Sequence, residues 1–363
     1  MTTMKVLISG ASVAGPALAQ LLHRDGHQVT VVERAPALRD SGYAVDFRGA
    51  AFEVLDELGI LDEVRAHDTR MRGTTLLDGA GAVTGELPAA AFAGELEVPK
   101  RELTRILHRI TSDGVAYVFG DSIATLTPHD SGVSVTFERA APRDFDLVIG
   151  ADGVYSTVRR LAFGPHADAV RHLGMSGAGF TTANHLGLDR RGVLQRTGDT
   201  AIYLFSAGDP DRLTVSLSFA TASAALDRCD RAAQQDAVRT AFAGHGWQAP
   251  RLLEAMARAA DFHFASACQV HLGRWSHGRI ALVGDAGYGA APTSGMGTSQ
   301  ALLGARSLAR QLAAAGGDHT AAFAAYEAEL RPYVTRNQTL GREAAALFGA
   351  GDRPAEDGAQ PAP

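Results

Sequence analysis

The chain has 363 residues, 46% of them hydrophobic and 20% charged, with a net charge of −6. That is enough apolar material for a large core shared by two joined domains, and it lacks the basic surplus of a nucleic-acid binder. No apolar run approaches the roughly 20 residues of a membrane span, so no membrane association is expected. Cys229, Cys268 and the 13 histidines show no metal or redox spacing. Both cysteines read as buried thiols, and the histidines as surface or packing residues. The amino terminus runs straight into a strand without a signal-peptide layout, which predicts a cytoplasmic protein.

The first elements form a βαβ unit. Lys5–Ser9 is a strand, Gly10-Ala-Ser-Val-Ala-Gly15 a turn, Ala17–Asp25 a helix and Gln28–Glu33 a second strand. The turn resembles the dinucleotide fingerprint, with Ser12 at the middle glycine, where backbone approaches a pyrophosphate. Glu33 closes the second strand where an acid would hold the hydroxyls of an adenosine ribose, and Arg34 follows where it could lie over the adenine. An ordinary β–α turn is the alternative, and Glu33 weighs against it. A polar loop carries Arg39, in no apolar period, and Gly42 and Gly49 bracket Asp46 and Arg48. A helix over Ala50–Leu58 and a small hairpin over Thr74–Leu87 come next.

The chain returns at Val98-Pro99 to a helix from Lys100, with Leu103, Ile106, Leu107 and Ile110 on one face. Lys100 and Arg101 occupy its first turn, where the helix dipole disfavours cations unless an anion is near. A solvated surface arginine is the competing reading of Arg101. Strands follow at Val115–Phe119, Val133–Phe137 and Leu147–Ile149, the last ending in Gly150-Ala-Asp152-Gly153, and Ser156 opens a helix with Arg159 and Arg160. Asp152 reads either as a ligand-site carboxylate or as the cap of a simple β–α connection.

Residues 170–269 supply strands at Ala201–Phe205 and Leu213–Phe219 and helices at Gln234–Phe242 and Arg251–Ala259. His185, Tyr203 and Phe219 are candidate pocket residues, with packing the stronger reading. The densest segment is Arg279–Ala305. Ile280–Val283 reads as a strand buried on both faces, ending at Gly284-Asp285 where open α/β sheets bind ligands. Gly287, Gly289, Pro292, Gly295 and Gly297 then let backbone approach a flat ligand, and a helix starts near Thr298 with Leu302, Leu303, Leu308 and Leu312 on one face. Its amino end points back into the crevice. A long helix over Ala321–Phe348 carries Phe323, Tyr326, Leu330, Val334 and Leu340, and a tail after Gly349 is disordered by composition.

Together, G-A-S-V-A-G with Glu33-Arg34, G-A-D-G-V-Y-S-T-V-R and G-D-A-G-Y-G-A-A-P-T-S-G-M-G-T resemble the three fingerprints of the class A flavoprotein monooxygenases, the family of para-hydroxybenzoate hydroxylase. G-Y-A-V-D-F-R-G, P-K-R-E-L and S-G-M-G-T-S look closest to its tetracycline-inactivating branch. The resemblance covers Met4 to about Leu347. It implies an α/β fold: a Rossmann-like FAD-binding domain of the GR2/para-hydroxybenzoate hydroxylase type, an inserted α+β substrate domain and a long C-terminal helix. The expected boundaries are 1–73, 98–168 and 270–320 for the first, 74–97 and 169–269 for the second, 321–349 for a bridging helix and 350–363 for the tail.

By the same resemblance, Asp46, Arg101 and Asp285 contact FAD, Arg39 meets NADPH, and Asp152 and Gly153 belong to a motif used for both nucleotides. Gly10, Ser12, Gly15, Glu33, Arg34, Arg48, Pro292, Gly295, Gly297 and Thr298 complete the expected cofactor set. Ser12 and Tyr288, where many relatives have histidine, are the departures. The implied chemistry is reduction of FAD by NADPH, addition of dioxygen and delivery of one oxygen atom by a flavin hydroperoxide to an aromatic or polyketide-like small molecule. No catalytic side chain and no metal are expected, and a monomer is. A flavin dehydrogenase and a flavin-loaded binding or resistance protein remain the alternatives.

Overall fold

The computed structural model describes residues 3–38, 43–207 and 209–347. It divides into two units, one made of residues 1–69, 92–171 and 269–339 and the other of residues 70–91 and 172–268 with the chain from Leu340 onwards.

The first unit is built on a six-stranded sheet in the order Ser276–His277, Ile280–Leu282, Leu147–Gly150, Lys5–Ser9, Gln28–Glu33, Ala116–Phe119. All neighbours are parallel except the two-residue edge strand. Parallel strands joined by crossovers are covered on both faces, which is why these segments are unbroken apolar runs rather than alternating ones. Val6 and Ile8 enter one core, under the helices Ala14–Arg24, Lys100–Thr111 and Gly297–Ala314. Leu7, Val32 and Val148 enter a separate core on the opposite face with Ile123, Val133, Val135 and Phe145. Those last four belong to a three-stranded antiparallel meander, Ile123–His129, Gly132–Phe137 and Arg143–Phe145. Only its middle strand is expected from the sequence, because its outer strands are largely exposed and carry little apolar alternation.

A two-stranded antiparallel ribbon, Ala44–Phe47 with Leu96–Pro99, lies in the same unit. The C-terminal helix, His319–Leu347, buries Phe323, Tyr326, Leu330 and Val334. Leu340 corrects the expected stripe, being 44% exposed. The buried row continues through Asn337, Gln338 and Gly341, the three- and four-residue steps that helix geometry demands from Val334.

The second unit holds a seven-stranded sheet in the order His263–Val270, Val170–Ala183, Arg212–Ala220, Thr200–Phe205, Gly192–Thr197, Thr74–Leu77, Val83–Leu87. Phe180, Ile202, Leu204, Val215 and Leu217 on one face pack with Val238, Phe242, Leu252 and Met256 from the helices Arg231–Ala241 and Ala249–Arg258. Cys229 is exposed and Cys268 buried, so only the second fits the expectation of a buried thiol. Cys229 follows a one-turn 3-10 segment with no buried residue, which gives it no core to enter.

Candidate functional site

The four central parallel strands end at one edge of the sheet, the edge at which open α/β sheets hold ligands. Gly10, after the first of them, has φ of 113°, and a Cβ there would stand 2.4 Å from the Ala151 carbonyl oxygen. Gly15 is equally constrained, since its Cβ would lie 1.9 Å from the Gly10 carbonyl oxygen. Gly10 thus locks the first motif onto the second, and Gly15 lets the turn close on itself. Ser12 is exposed, so the departure from glycine meets no steric demand from the protein. The helix that follows starts after Val13 with no side-chain cap. Glu33 reaches across the mouth of this turn, one carboxylate oxygen accepting from the Ala11 N–H at 2.9 Å and the other from the Ala35 N–H at 2.9 Å. Arg34 beside it is exposed.

At the second motif the carboxylate of Asp152 turns inward. It accepts from the N–H groups of Thr157 at 2.7 Å and Val158 at 3.2 Å and from the hydroxyls of Ser156 and Ser9. Asp152 therefore takes the first two N–H groups of the helix Thr157–Phe163, and Ser156 at the N-cap takes that of Arg159. Burial pushes its carboxyl up, against the pull of these donors. Gly153, with φ of 82°, leaves open space where a Cβ would stand. Arg159, 1% exposed, joins this motif to the third, its guanidinium donating to the Ala286 carbonyl at 2.8 Å and to the Val154 carbonyl.

The third motif closes on the first. Gly284, with φ of 65°, sits where a Cβ would be 3.2 Å from the Ala14 methyl at the start of the first helix. Asp285 follows, exposed to solvent, and no hydrogen bond reaches its carboxylate from the described residues. Protein mass on most sides raises its pKa, while the ammonium of Lys100 lowers it. Because water reaches the group, screening keeps the energetic weight of that shift small.

Beyond it, Ala291 holds a positive φ of 72°, a strained conformation for a residue with a Cβ. Pro292–Ser294 form a 3-10 turn, and Gly295, with φ of 62°, lies where a Cβ would approach the Asp46 carboxylate to 3.5 Å. Asp46 accepts from Arg48 Nε at 2.8 Å, and the Arg48 N–H donates to Ser299 Oγ at 3.2 Å. Burial raises the Asp46 pKa against the pull of Arg48. The helix Gly297–Ala314, with Thr298 in its first turn, begins after Met296 without a side-chain cap. Its first N–H groups therefore remain available to an anion.

Tyr288 takes no part in this open region. It is fully buried beside Trp275 and Tyr326, with Tyr326 Oη 2.7 Å from its own. Arg39 lies outside the described residues. Arg101 Nε donates to Glu102 at 3.0 Å, and the charge that reaches Asp285 is that of Lys100, which also stands over the Tyr43 ring. One residue of helix phase separates the two cations, which is below the resolution of a sequence reading. Ser299 and Glu97 are also missed. Glu97 faces Asp46 across the ribbon, and strand alternation around Asp46 was the signal that could have found it.

The FAD binding domain family matches residues 3–339. A flavin-dependent monooxygenase from an unknown prokaryotic organism is 38% identical over 343 residues, covering 93% of this chain and 89% of its own. An uncharacterized protein of Mycobacterium tuberculosis is 44% identical over 341 residues, 92% of each chain. The crystal structure of the tetracycline destructase Tet(55) superimposes with a TM-score of 0.87 at 38% identity, over 95% of this chain and 90% of that one. The chain belongs to this FAD-dependent monooxygenase family. At this edge of the sheet the monooxygenase presents two helix amino ends without a side-chain cap, an acid at the end of the second strand, and Asp285, whose carboxylate accepts no hydrogen bond from the described residues.

Proposed function

We propose that this monooxygenase uses NADPH and dioxygen to insert one oxygen atom into an aromatic or polyketide-like small molecule, the chemical class of tetracycline. The convergence of the three glycine-bearing motifs at the carboxyl ends of adjacent parallel strands carries this reading, and the likeness to a tetracycline destructase supports the substrate class. FAD, when bound, supplies the redox chemistry by taking hydride from the nicotinamide nucleotide and passing electrons to dioxygen.

The protein's part is to hold and orient. Glu33 would accept from the ribose hydroxyls while keeping the glycine turn in shape, and the amino end of Ala14–Arg24 would face the pyrophosphate. Asp285 would accept from a cofactor hydroxyl, with Lys100 balancing its charge. The Pro292–Gly297 turn and the amino end of Gly297–Ala314 would meet the negative charge of a reduced flavin. Asp152 and Arg159 would act behind this surface by fixing the second motif against the third. Arg39 would meet the incoming NADPH. Among the described residues no helix is long and apolar enough to cross a membrane, and we place the enzyme in the cytoplasm as a monomer. Substrate-stimulated NADPH oxidation, screened over phenols, aromatic polyketides and tetracyclines with oxygen-18 gas, tests the reading. A product without label from dioxygen would refute it.

A further inference from the structure

The ribbon Ala44–Phe47 with Leu96–Pro99 places two acids side by side. Asp46 and Glu97 are direct cross-strand partners. Val45, Phe47, Leu96 and Val98 are buried, so Asp46 and Glu97 share the other face, with Cβ atoms about 5 Å apart by antiparallel geometry. Neither is open to water, the side chain of Asp46 being 13% accessible and Glu97 partly buried. On this face Asp46 lies against Gly295 of the flavin-binding turn.

Arg48, just past the end of the Asp46 strand, gives its Nε to Asp46. Asp68, in the segment between the two ribbon strands, acts on Glu97 through its charge, and the buried hydroxyl of Thr69 donates to Glu97 at 2.7 Å. The helices Leu61–Ala66 and Lys100–Thr111 pack on the Glu97 strand, but Arg65 pairs with Asp62, Arg101 and Arg105 engage Glu102, and Lys100 acts on Asp285. Tyr333 of the C-terminal helix lies toward Asp46 as a neutral phenol. Among the described residues no cation reaches Glu97. Two adjacent carboxyls of which only Asp46 has an arginine, in a place with little water, cannot both stay ionised without cost.

We propose that Glu97 is a positioning residue of the flavin site, sharing one proton with Asp46, and that the state of this proton sets how tightly the site holds its anionic cofactor. This rests on the proposed place of the flavin at the Pro292–Gly297 turn, against which Asp46 lies. Burial, with Asp46 and Asp68 nearby, lifts the Glu97 carboxyl to about 7, against the pull of Thr69. Below that pH the proton sits on Glu97, and Asp46 alone carries the negative charge, oriented by Arg48. Above it a second negative charge appears behind Asp46, and an anionic cofactor is repelled. FAD affinity therefore falls as pH rises through neutrality, by about tenfold for one added charge.

The test is titration of the apoprotein with FAD, followed by flavin fluorescence from pH 5.5 to 8.5, for the natural protein and for Glu97→Gln, Thr69→Val and Asp46→Asn. Glu97→Gln, a mimic of the protonated acid, is expected to bind tightly with a flat profile. Thr69→Val removes a donor that favours the ionised acid, so the midpoint moves to higher pH, a shift that a purely structural role would not produce and that stays readable should Glu97→Gln fail to fold. Identical profiles for the natural protein, Glu97→Gln and Thr69→Val, with Asp46→Asn weakened, would overturn the role of Glu97 alone. Unchanged affinity in Asp46→Asn at every pH would overturn the placement of FAD at Asp46, and the proposal with it.

Discussion

Replacing Asp285 by alanine separates binding from folding. Its carboxylate accepts no hydrogen bond from the described residues and stands in solvent, so its removal deprives the protein of no internal partner. A hydrogen bond from a cofactor hydroxyl to a charged acceptor contributes about 1.5–3 kcal/mol, which converts to roughly tenfold to 150-fold in dissociation constant. Glu33 provides the contrast. Its two oxygens satisfy the N–H groups of Ala11 and Ala35, and an orphaned N–H costs about 1–3 kcal/mol when shielded from water. Glu33→Ala should therefore weaken FAD and also lower the stability of the apoprotein by about 2–6 kcal/mol. Asp285→Ala should weaken FAD and leave the apoprotein alone. Flavin fluorescence titration gives the first quantity and urea unfolding of the apoprotein the second. An unchanged FAD dissociation constant in Asp285→Ala would refute the assignment, and so would an apoprotein as destabilised as Glu33→Ala.

Lys100→Met should weaken FAD by about threefold to tenfold through the lost charge, whereas Arg101→Met should leave the titration unchanged; the reverse order would return the site to Arg101. Gly304→Ala should destabilise by about 1–3 kcal/mol, because its Cβ would fall 2.0 Å from Tyr288 Oη. A urea double-mutant cycle with Tyr288→Phe should show partial rescue, and strict additivity would show that the contact is relieved elsewhere. Glu97 gives a pH-dependent stability. An acid whose folded pKa is raised from 4.5 to about 7 costs nothing while protonated in both states, and destabilises the fold increasingly as pH rises between these values. Glu97→Gln should therefore stabilise by about 3 kcal/mol at pH 8 and by almost nothing at pH 4, measured by urea unfolding at both.

The dinucleotide half of the fold was legible because its strands are buried on both faces and punctuated by glycine. Lys5–Ser9 and Gln28–Glu33 emerge with the predicted bounds, since an apolar run between a charge and Gly10 has few other uses. The meander strands Ile123–His129 and Arg143–Phe145 were not legible, because they cover a sheet with one side only and expose the other. The site was readable where a residue type is forced by backbone, as at Gly10 and Gly284. It was unreadable where the role depends on which way a side chain turns. Asp152 looks in sequence like Asp285, yet one turns inward to cap a helix and the other stands open to solvent. Lys100 and Arg101 differ by about 100° of helix rotation, and spacing alone does not say which faces the acid.

The strand order has a consequence for biosynthesis. Ile280–Leu282 pairs with Leu147–Gly150, and Gly297–Ala314 packs on Ala14–Arg24, so the amino-terminal βαβ unit lacks its covering helix until nearly the whole chain has been made. At about 5–20 residues per second, the ribosome exposes that unit's apolar flank for roughly 15–60 s before its partner emerges. Contacts of such high sequence separation slow folding and leave a nascent chain open to association in the interval. Truncated chains ending before Gly297 should accordingly recover no flavin and depend on chaperones to stay soluble, while a circular permutant that brings Gly297–Ala314 next to Ala14–Arg24 in sequence should refold faster than the natural chain.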